Sequence, residues 1–334
     1  MALEEDLKMN KMLFMPFIAV AAFTVLSCSK EVQKFSGEGK IVSFMVPAPS
    51  VAEEETGSKV AFVKEVFTDT DNKKKSSFKW DAGDSFNIFS FVTGNTEATS
   101  SHLNWGAFTT ETAGAQAIFT GTIPGDYNGN DPLVAVFSKY TDWSTAPWTF
   151  EKNPRQKIKF NIPSEQDGTG INYSLFAATP TYSNGSFSFT SANSFRLKTA
   201  LTYFKVPADA NVVRITITAI TTKDNAAMKI VSEGAANDIE VVANSTSTLA
   251  GGGNNVITIF NNNQVLSGNV YFASRGTAAN ATRGHLQLTF VFEKQDGTRA
   301  TKVISLGTDS NIKNLTNGGV NYLGSVTFGA NDFQ

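Results

Sequence analysis

The chain has 334 residues, 41% of them hydrophobic and 17% charged, with a net charge of −2. That balance excludes an intrinsically disordered chain, and the absence of a basic surplus excludes the electrostatic footprint of a nucleic-acid-binding protein. Two histidines and one cysteine leave few groups for metal or nucleophilic chemistry.

In chain order, the first feature is the apolar run Leu13–Leu26, preceded by Lys11 and followed by Ser27, Cys28, Ser29 and Lys30. A basic start, a short apolar centre and a small residue at the cut form the grammar of a secretory signal. The run falls short of the roughly 20 residues that span a bilayer. Glu4, Glu5 and Asp6 put acid where such a signal carries base, which makes Met9 a better start than Met1. Val25-Leu26-Ser27-Cys28 resembles the lipobox of a bacterial lipoprotein. The resemblance implies cleavage of residues 1–27 and acylation of Cys28, with palmitate among the chains, anchoring the protein in the outer membrane. Each buried methylene contributes about 0.8 kcal/mol, and more than one acyl chain makes the anchor stable. Cys28 is the sole cysteine, so its acylation leaves no disulfide in the mature chain. Residues 28–40 have the polar composition of a tether standing off the membrane.

Beyond the tether, alternation with period two dominates and helical periodicity is almost absent. Strands are expected at Ile41–Val46, Lys59–Phe67, Phe86–Phe91, Leu133–Ser138 and Lys157–Ile162. Asn184-Gly185 before Ser186–Phe189 reads as a turn followed by a strand. Leu201–Val206 and Asn211–Thr221 form a pair across a Pro207–Ala210 turn. The strongest pattern is His285–Glu293, where Leu286, Leu288, Phe290 and Phe292 share one face. Asp296-Gly297 then turns the chain into Thr301–Ser305, a hairpin. Many short strands separated by turn signals predict an all-β protein of sandwich type. The length suits two domains, expected at 41–185 and 186–334 with the join between Ala178 and Ser194.

Several motifs in order resemble the fimbrillin-like family, the type V pilus subunits of Bacteroidales. Lys59-Val60-Ala61-Phe62 precedes Ser77–Phe89, in which Trp80 is followed by Gly83-Asp84 and an apolar strand. Tyr173–Ala178, Phe187–Phe189 and Leu201–Phe204 are similar to the mid-chain region of that family, and Gly318–Tyr322 ahead of Val326–Phe328 to its ending. The resemblance implies two tandem transthyretin-like β-sandwich domains and a structural role in a cell-surface pilus. Subunits of that family assemble by strand exchange, in which a neighbour's strand fills a groove opened by proteolysis. The partners so implied are other pilus subunits, with host or bacterial surface glycans or proteins as adhesion targets. Tyr322, Val326 and Phe328 mark the candidate donor strand, with an ordinary last strand of its own sheet as the alternative. Shaft subunits of the family are cut after an arginine, and this chain has none before Arg155. Lys40 and Lys59 are the basic substitutes near the first strands, and without cleavage the chain would be an anchor subunit or a free-standing lipoprotein.

Two other classes compete. A carbohydrate-binding surface lipoprotein would use Trp143 and Trp148, in a loop-like stretch, as a ligand platform, whereas Trp80 is expected to plug the core beside the Gly83-Asp84 turn. A carboxylate enzyme would need a paired acid and base, but the acids are scattered and no His-Glu-x-x-His or Gly-x-Ser-x-Gly run occurs. No catalysis is expected. Asp126–Asp131 alternates oxygen ligands around a glycine but lacks the closing Glu of an EF-hand loop, so it reads as a plain turn. No metal or other cofactor is expected.

Overall fold

The computed structural model describes residues 38–49, 66–68, 74–76, 78–90, 104–139, 148–151, 157–160, 162–190, 192–221, 239–242, 245–248, 255–274, 286–306, 315 and 318–334. These residues are almost entirely strand, with one 3-10 turn at Ala208–Ala210, where Pro207 was expected to open a turn; the strands on either side of it, expected to pair with each other, instead join different sheets.

A seven-stranded sheet is built from β1 (Lys40–Pro47), β4 (Ser85–Ser90), β5 (Ala107–Thr110), β6 (Gln116–Ile123), β7 (Leu133–Phe137), β11 (Phe176–Ala178) and β14 (Arg196–Leu197), in the order β1-β6-β5-β4-β7-β11-β14. A five-stranded sheet, ordered β10-β19-β16-β21-β22, takes β10 (Glu165–Gln166), β16 (Val212–Thr221), β19 (Val256–Phe260), β21 (Leu286–Lys294) and β22 (Arg299–Ser305). A three-stranded sheet orders β20 (Gly268–Ser274), β15 (Ala200–Val206) and β23 (Val320–Ser325) as β20-β15-β23. Smaller pieces are β2 (Val66–Thr68) with β3 (Lys74–Ser76), β12 (Thr181–Ser183) with β13 (Ser186–Ser188), and β18-β17-β9-β8, formed by β8 (Trp148–Glu151), β9 (Lys157–Phe160), β17 (Ile239–Val242) and β18 (Ser245–Thr248).

Local chemistry explains the strongest hairpins. In β21, Leu286, Leu288, Phe290 and Phe292 are buried and alternate with half-buried Gln287, Thr289 and Val291, so the pleat sends one face into the core. The turn to β22 places Gly297 at φ 84°, and the Asp296 carboxylate accepts from the Thr298 N–H and hydroxyl at 3.0 and 2.7 Å. The β12–β13 loop is Asn184-Gly185 with both φ positive (50° and 79°), the geometry that matches strand twist in a two-residue hairpin.

Buried side chains form two clusters. The first contains Val42, Phe44, Val46, Trp80, Phe86, Phe108 and Phe119, and reaches on to Phe187, Phe195 and Leu197. The second gathers Phe204, Ile215, Ile217, Ile259, Phe272, Leu288, Phe290 and Phe292. Strands β4, β7 and β15 serve both. Phe86 and Ile88, Leu133, Ala135 and Phe137, and Leu201 and Tyr203 face the first cluster. Phe89, Val134 and Val136, and Ala200, Phe204 and Val206 face the second. Because side chains alternate sides along a strand, such double burial reads in sequence as a continuous apolar run, as in Leu133-Val134-Ala135-Val136-Phe137.

Candidate functional site

Among the described residues β1 pairs only with β6, so it is the edge strand of the seven-stranded sheet. Its register is unbroken from Lys40 opposite Ile123 to Pro47 opposite Gln116. Val42, Phe44 and Val46 point inward and are buried, while Ile41 and Met45 point outward and are 73% and 58% exposed. The edge carries no bulge and no charge between Ile41 and Pro47, the devices that usually blunt an exposed edge.

The groove that β1 fills has an aromatic floor. The Phe44 ring lies 4.5 Å from Phe187, 5.5 Å from Phe108 and 5.7 Å from Phe189, the last stacked at 10°. Phe86 and Phe108 stack beneath it at 5.8 Å. The close fit has a glycine behind it: a Cβ at Gly121 in β6 would sit 2.4 Å from Cδ1 of Phe108. Burying Val42, Phe44 and Val46 contributes about 1.5–3 kcal/mol for each side chain.

Trp80 closes the far end of the groove. It is 1% exposed, and its indole N–H donates to the Val46 carbonyl at 3.1 Å. Its backbone exchanges two hydrogen bonds with Gly114, and its ring meets Phe119, Phe137 and Phe195 edge-on at 4.8, 4.8 and 5.6 Å. The expectation that Trp80 plugs the core beside Gly83-Asp84 therefore holds. At that turn the Asp84 carboxylate accepts from the Asp81 N–H at 2.8 Å, and Lys139 pairs with Asp81. Burial pushes the Asp84 pKa up against the opposing pull of that hydrogen bond and of Lys139.

The sequence-predicted positions fall as follows. Lys40 opens β1 and is exposed. Cys28, Lys59, Trp143, His102 and His285 lie outside the described residues, as does most of the expected strand Lys59–Phe67. Trp148 is described only as the first residue of β8, opposite Phe160. Trp105 is buried at 3% exposure and packs edge-on against Tyr127 at 4.6 Å. Tyr322 lies in β23, which runs parallel to β15 of its own chain, and its ring stacks on Tyr203 at 4.7 Å. Val326 donates its N–H to the Lys205 carbonyl at 2.8 Å, and Phe328 packs edge-on against Phe292 at 5.0 Å. In the Asp126–Asp131 segment the Tyr127 hydroxyl donates to the Asp131 carbonyl at 2.8 Å and the Asn130 N–H to the Asn128 side chain at 3.0 Å. Among the described residues no group of three or more His, Cys, Asp or Glu side chains is placed to hold a metal ion. Sequence reasoning missed β6, the partner of β1, and the Trp80–Val46 bond.

No family model and no curated protein matches the chain. Among solved structures it is similar to a candidate cell adhesion protein from Bacteroides uniformis ATCC 8492, at 14% identity and TM-score 0.46 over 76% of this chain and 90% of that one. A candidate cell adhesion protein from Bacteroides ovatus ATCC 8483 matches at 14% identity and TM-score 0.40, over 84% and 95% of the two chains. A fimbrial protein from the same Bacteroides ovatus strain matches at 11% identity and TM-score 0.34, over 81% of this chain and 51% of that one.

Proposed function

We propose that the chain is a structural, non-catalytic subunit of a cell-surface pilus or adhesive assembly, anchored in the outer membrane through acylated Cys28 and joined to its neighbours by exchange of the strand at the β1 position. The observation that carries this reading is β1 itself. It stands at an edge, comes first among the described strands, and buries three alternate apolar side chains over an aromatic floor. A strand with that pattern can be replaced by another extended segment that offers the same ladder and the same side chains. Its removal would leave apolar floor and unpaired backbone groups exposed, a state that demands a substitute. The order of motifs from Trp80 to Phe328 supports the same family of assemblies.

The subunit is proposed to consist of two tandem sandwich domains after a signal peptide at 1–27 and a tether at 28–40. Cleavage at Lys59 is the proposed trigger, since a cut at Lys40, at the start of β1, would release only the tether and leave the strand on the chain; the C-terminal stretch with Tyr322, Val326 and Phe328 is the proposed donor. Intact mass and N-terminal sequencing of protein recovered from its native outer membrane test the trigger. A new N-terminus after Lys59 supports a polymerising subunit; a terminus that retains β1, whether just after Lys40 or at a lipid-bearing Cys28 in every recovered copy, contradicts it.

A further inference from the structure

Cys28 is the chain's sole cysteine, so no disulfide ties its strands together. β23 is a strand that a covalent tie would serve. It pairs in parallel with β15 across a long stretch of sequence, and parallel pairing is slightly less stable per residue than antiparallel. A link between the two strands would close a long loop, the kind whose closure takes most entropy from the unfolded chain.

Tyrosines stand where such a link can form. Tyr271, Tyr203 and Tyr322 are register partners in β20, β15 and β23, so their side chains leave the same face in one row. The Tyr203 ring stacks on Tyr322 at 4.7 Å and 26°, and on Tyr271 at 5.3 Å and 29°. The middle ring is 5% exposed and the outer two are half-buried, so an oxidant reaches the row from either end. Neighbouring bonds hold β23 in place: the Asn321 amide donates to the Leu201 carbonyl at 3.3 Å, and the Leu201 N–H to the Gly319 carbonyl at 3.0 Å. The Tyr322 hydroxyl lies 3.3 Å from the hydroxyl of exposed Ser325, which gives its proton a route to solvent.

We propose that Tyr203 and Tyr322 are an oxidative cross-linking site, at which a peroxide, acting through a one-electron peroxidase, joins β15 to β23 as dityrosine. Each phenol gives up one electron and one proton. An electron vacancy made on Tyr271 passes to Tyr203 through the stacked rings, which puts a radical on the buried member of the pair. The two radicals join through ring carbons next to the hydroxyls, and the hydrogens on those carbons shift to the oxygens and restore both phenols. The peroxide takes up the two electrons and two protons and leaves as water. The site stands apart from the strand-exchange reading: a linked copy keeps Tyr322 in its own sheet and cannot give it to a neighbour.

The test treats the full chain, at high dilution, with hydrogen peroxide and a haem peroxidase, and then isolates the monomer. The linked monomer should be lighter by two hydrogen atoms, show dityrosine fluorescence, and give on digestion a peptide pair joined at Tyr203 and Tyr322. Its urea midpoint should rise above that of the untreated chain. Tyr322→Phe and Tyr203→Phe keep the rings and lose the phenol oxygen, so each should lose the monomer product. Tyr271→Phe should keep it, formed more slowly. Tyr127 and Tyr182 also meet, at 5.3 Å but tilted at 53°, and peptide mapping distinguishes that pair. A treated monomer without the Tyr203–Tyr322 link, a link that survives Tyr322→Phe, or a linked midpoint no higher than the untreated one overturns the proposal.

Discussion

The Trp80 indole N–H donates to the Val46 carbonyl across 34 residues of sequence, joining the edge strand β1 to the aromatic centre of the first core cluster. This bond and the three inward side chains of β1 add to its backbone ladder with β6 in holding the edge strand on the sheet. How firmly β1 sits, and what can take its place, depends on few contacts, and each is open to measurement.

Phe44→Ala should cost about 3–5 kcal/mol, because the ring is buried among Phe108, Phe187 and Phe189 and its loss leaves a cavity. Met45→Ala, next in sequence but 58% exposed, should stay within about 0.5 kcal/mol. Denaturant midpoints of the two variants check the contrast, and similar losses would mean that β1 does not face the groove as described.

Gly121→Ala should destabilise by about 1–3 kcal/mol through overpacking, since the new methyl group would lie 2.4 Å from the Phe108 ring. Phe108→Leu in the same chain should recover part of that loss, so the two changes should be non-additive. Strict additivity in urea titrations would place the cost elsewhere.

Gln166 is 2% exposed and reads the backbone of a different sheet. Its amide donates to the Ala273 carbonyl at 2.8 Å and to the Pro163 carbonyl at 3.0 Å, and accepts from the Ala273 N–H at 2.8 Å. Gln166→Ala should cost about 1–3 kcal/mol for each backbone group left without a partner. Amide exchange at Ala273 should speed up in the variant and hold steady if the contact is incidental.

Two carboxylates should move stability with pH in opposite senses. Asp84 is raised by burial, so its fold prefers the protonated form; its contribution is fully present below pH 3.8, the ordinary value, and is lost as pH rises through the folded pKa. Asp84→Asn should therefore be more stable than the parent at pH 7, with the gap closing below pH 3.8. Asp332 is lowered by the hydrogen bond from Lys302 and then by that from the Gly329 N–H, so its contribution is present above pH 3.8 and is lost as pH falls through the depressed pKa. Asp332→Asn should lose stability at pH 7 and match the parent in strong acid. Thermal midpoints across the acid range separate the two profiles.

The sequence was most legible where one strand tells its own story. The β21–β22 hairpin follows from the alternation of Leu286 to Phe292 and from Asp296-Gly297, and β22 differs from expectation only in starting at Arg299. The Asn184-Gly185 hairpin and the strands at β1, β4, β7, β15 and β16 are likewise local readings. β6 was hidden because its middle holds Gly121, a residue that weakens a strand in isolation and is explained only by Phe108 on the neighbouring strand. Its Ile118 faces outward at 51% exposure while Ala117 faces in, so residue size misreports the buried face. β10 is two residues long and pairs in parallel with Thr258–Ile259, a non-local ladder that no short-range signal announces. At the groove, Trp80 was legible as core, but its hydrogen bond depends on a strand 34 residues away.

The central claim is that β1 is the replaceable element. Its most direct test is the molar mass in solution, by sedimentation, of the chain cut between residues 50 and 58 after the released strand has been removed. The account predicts that monomer gives way to higher assemblies, and that a peptide of residues 38–49 added in excess returns them to single subunits. A cut chain that stays monomeric and folded with β1 gone would contradict it.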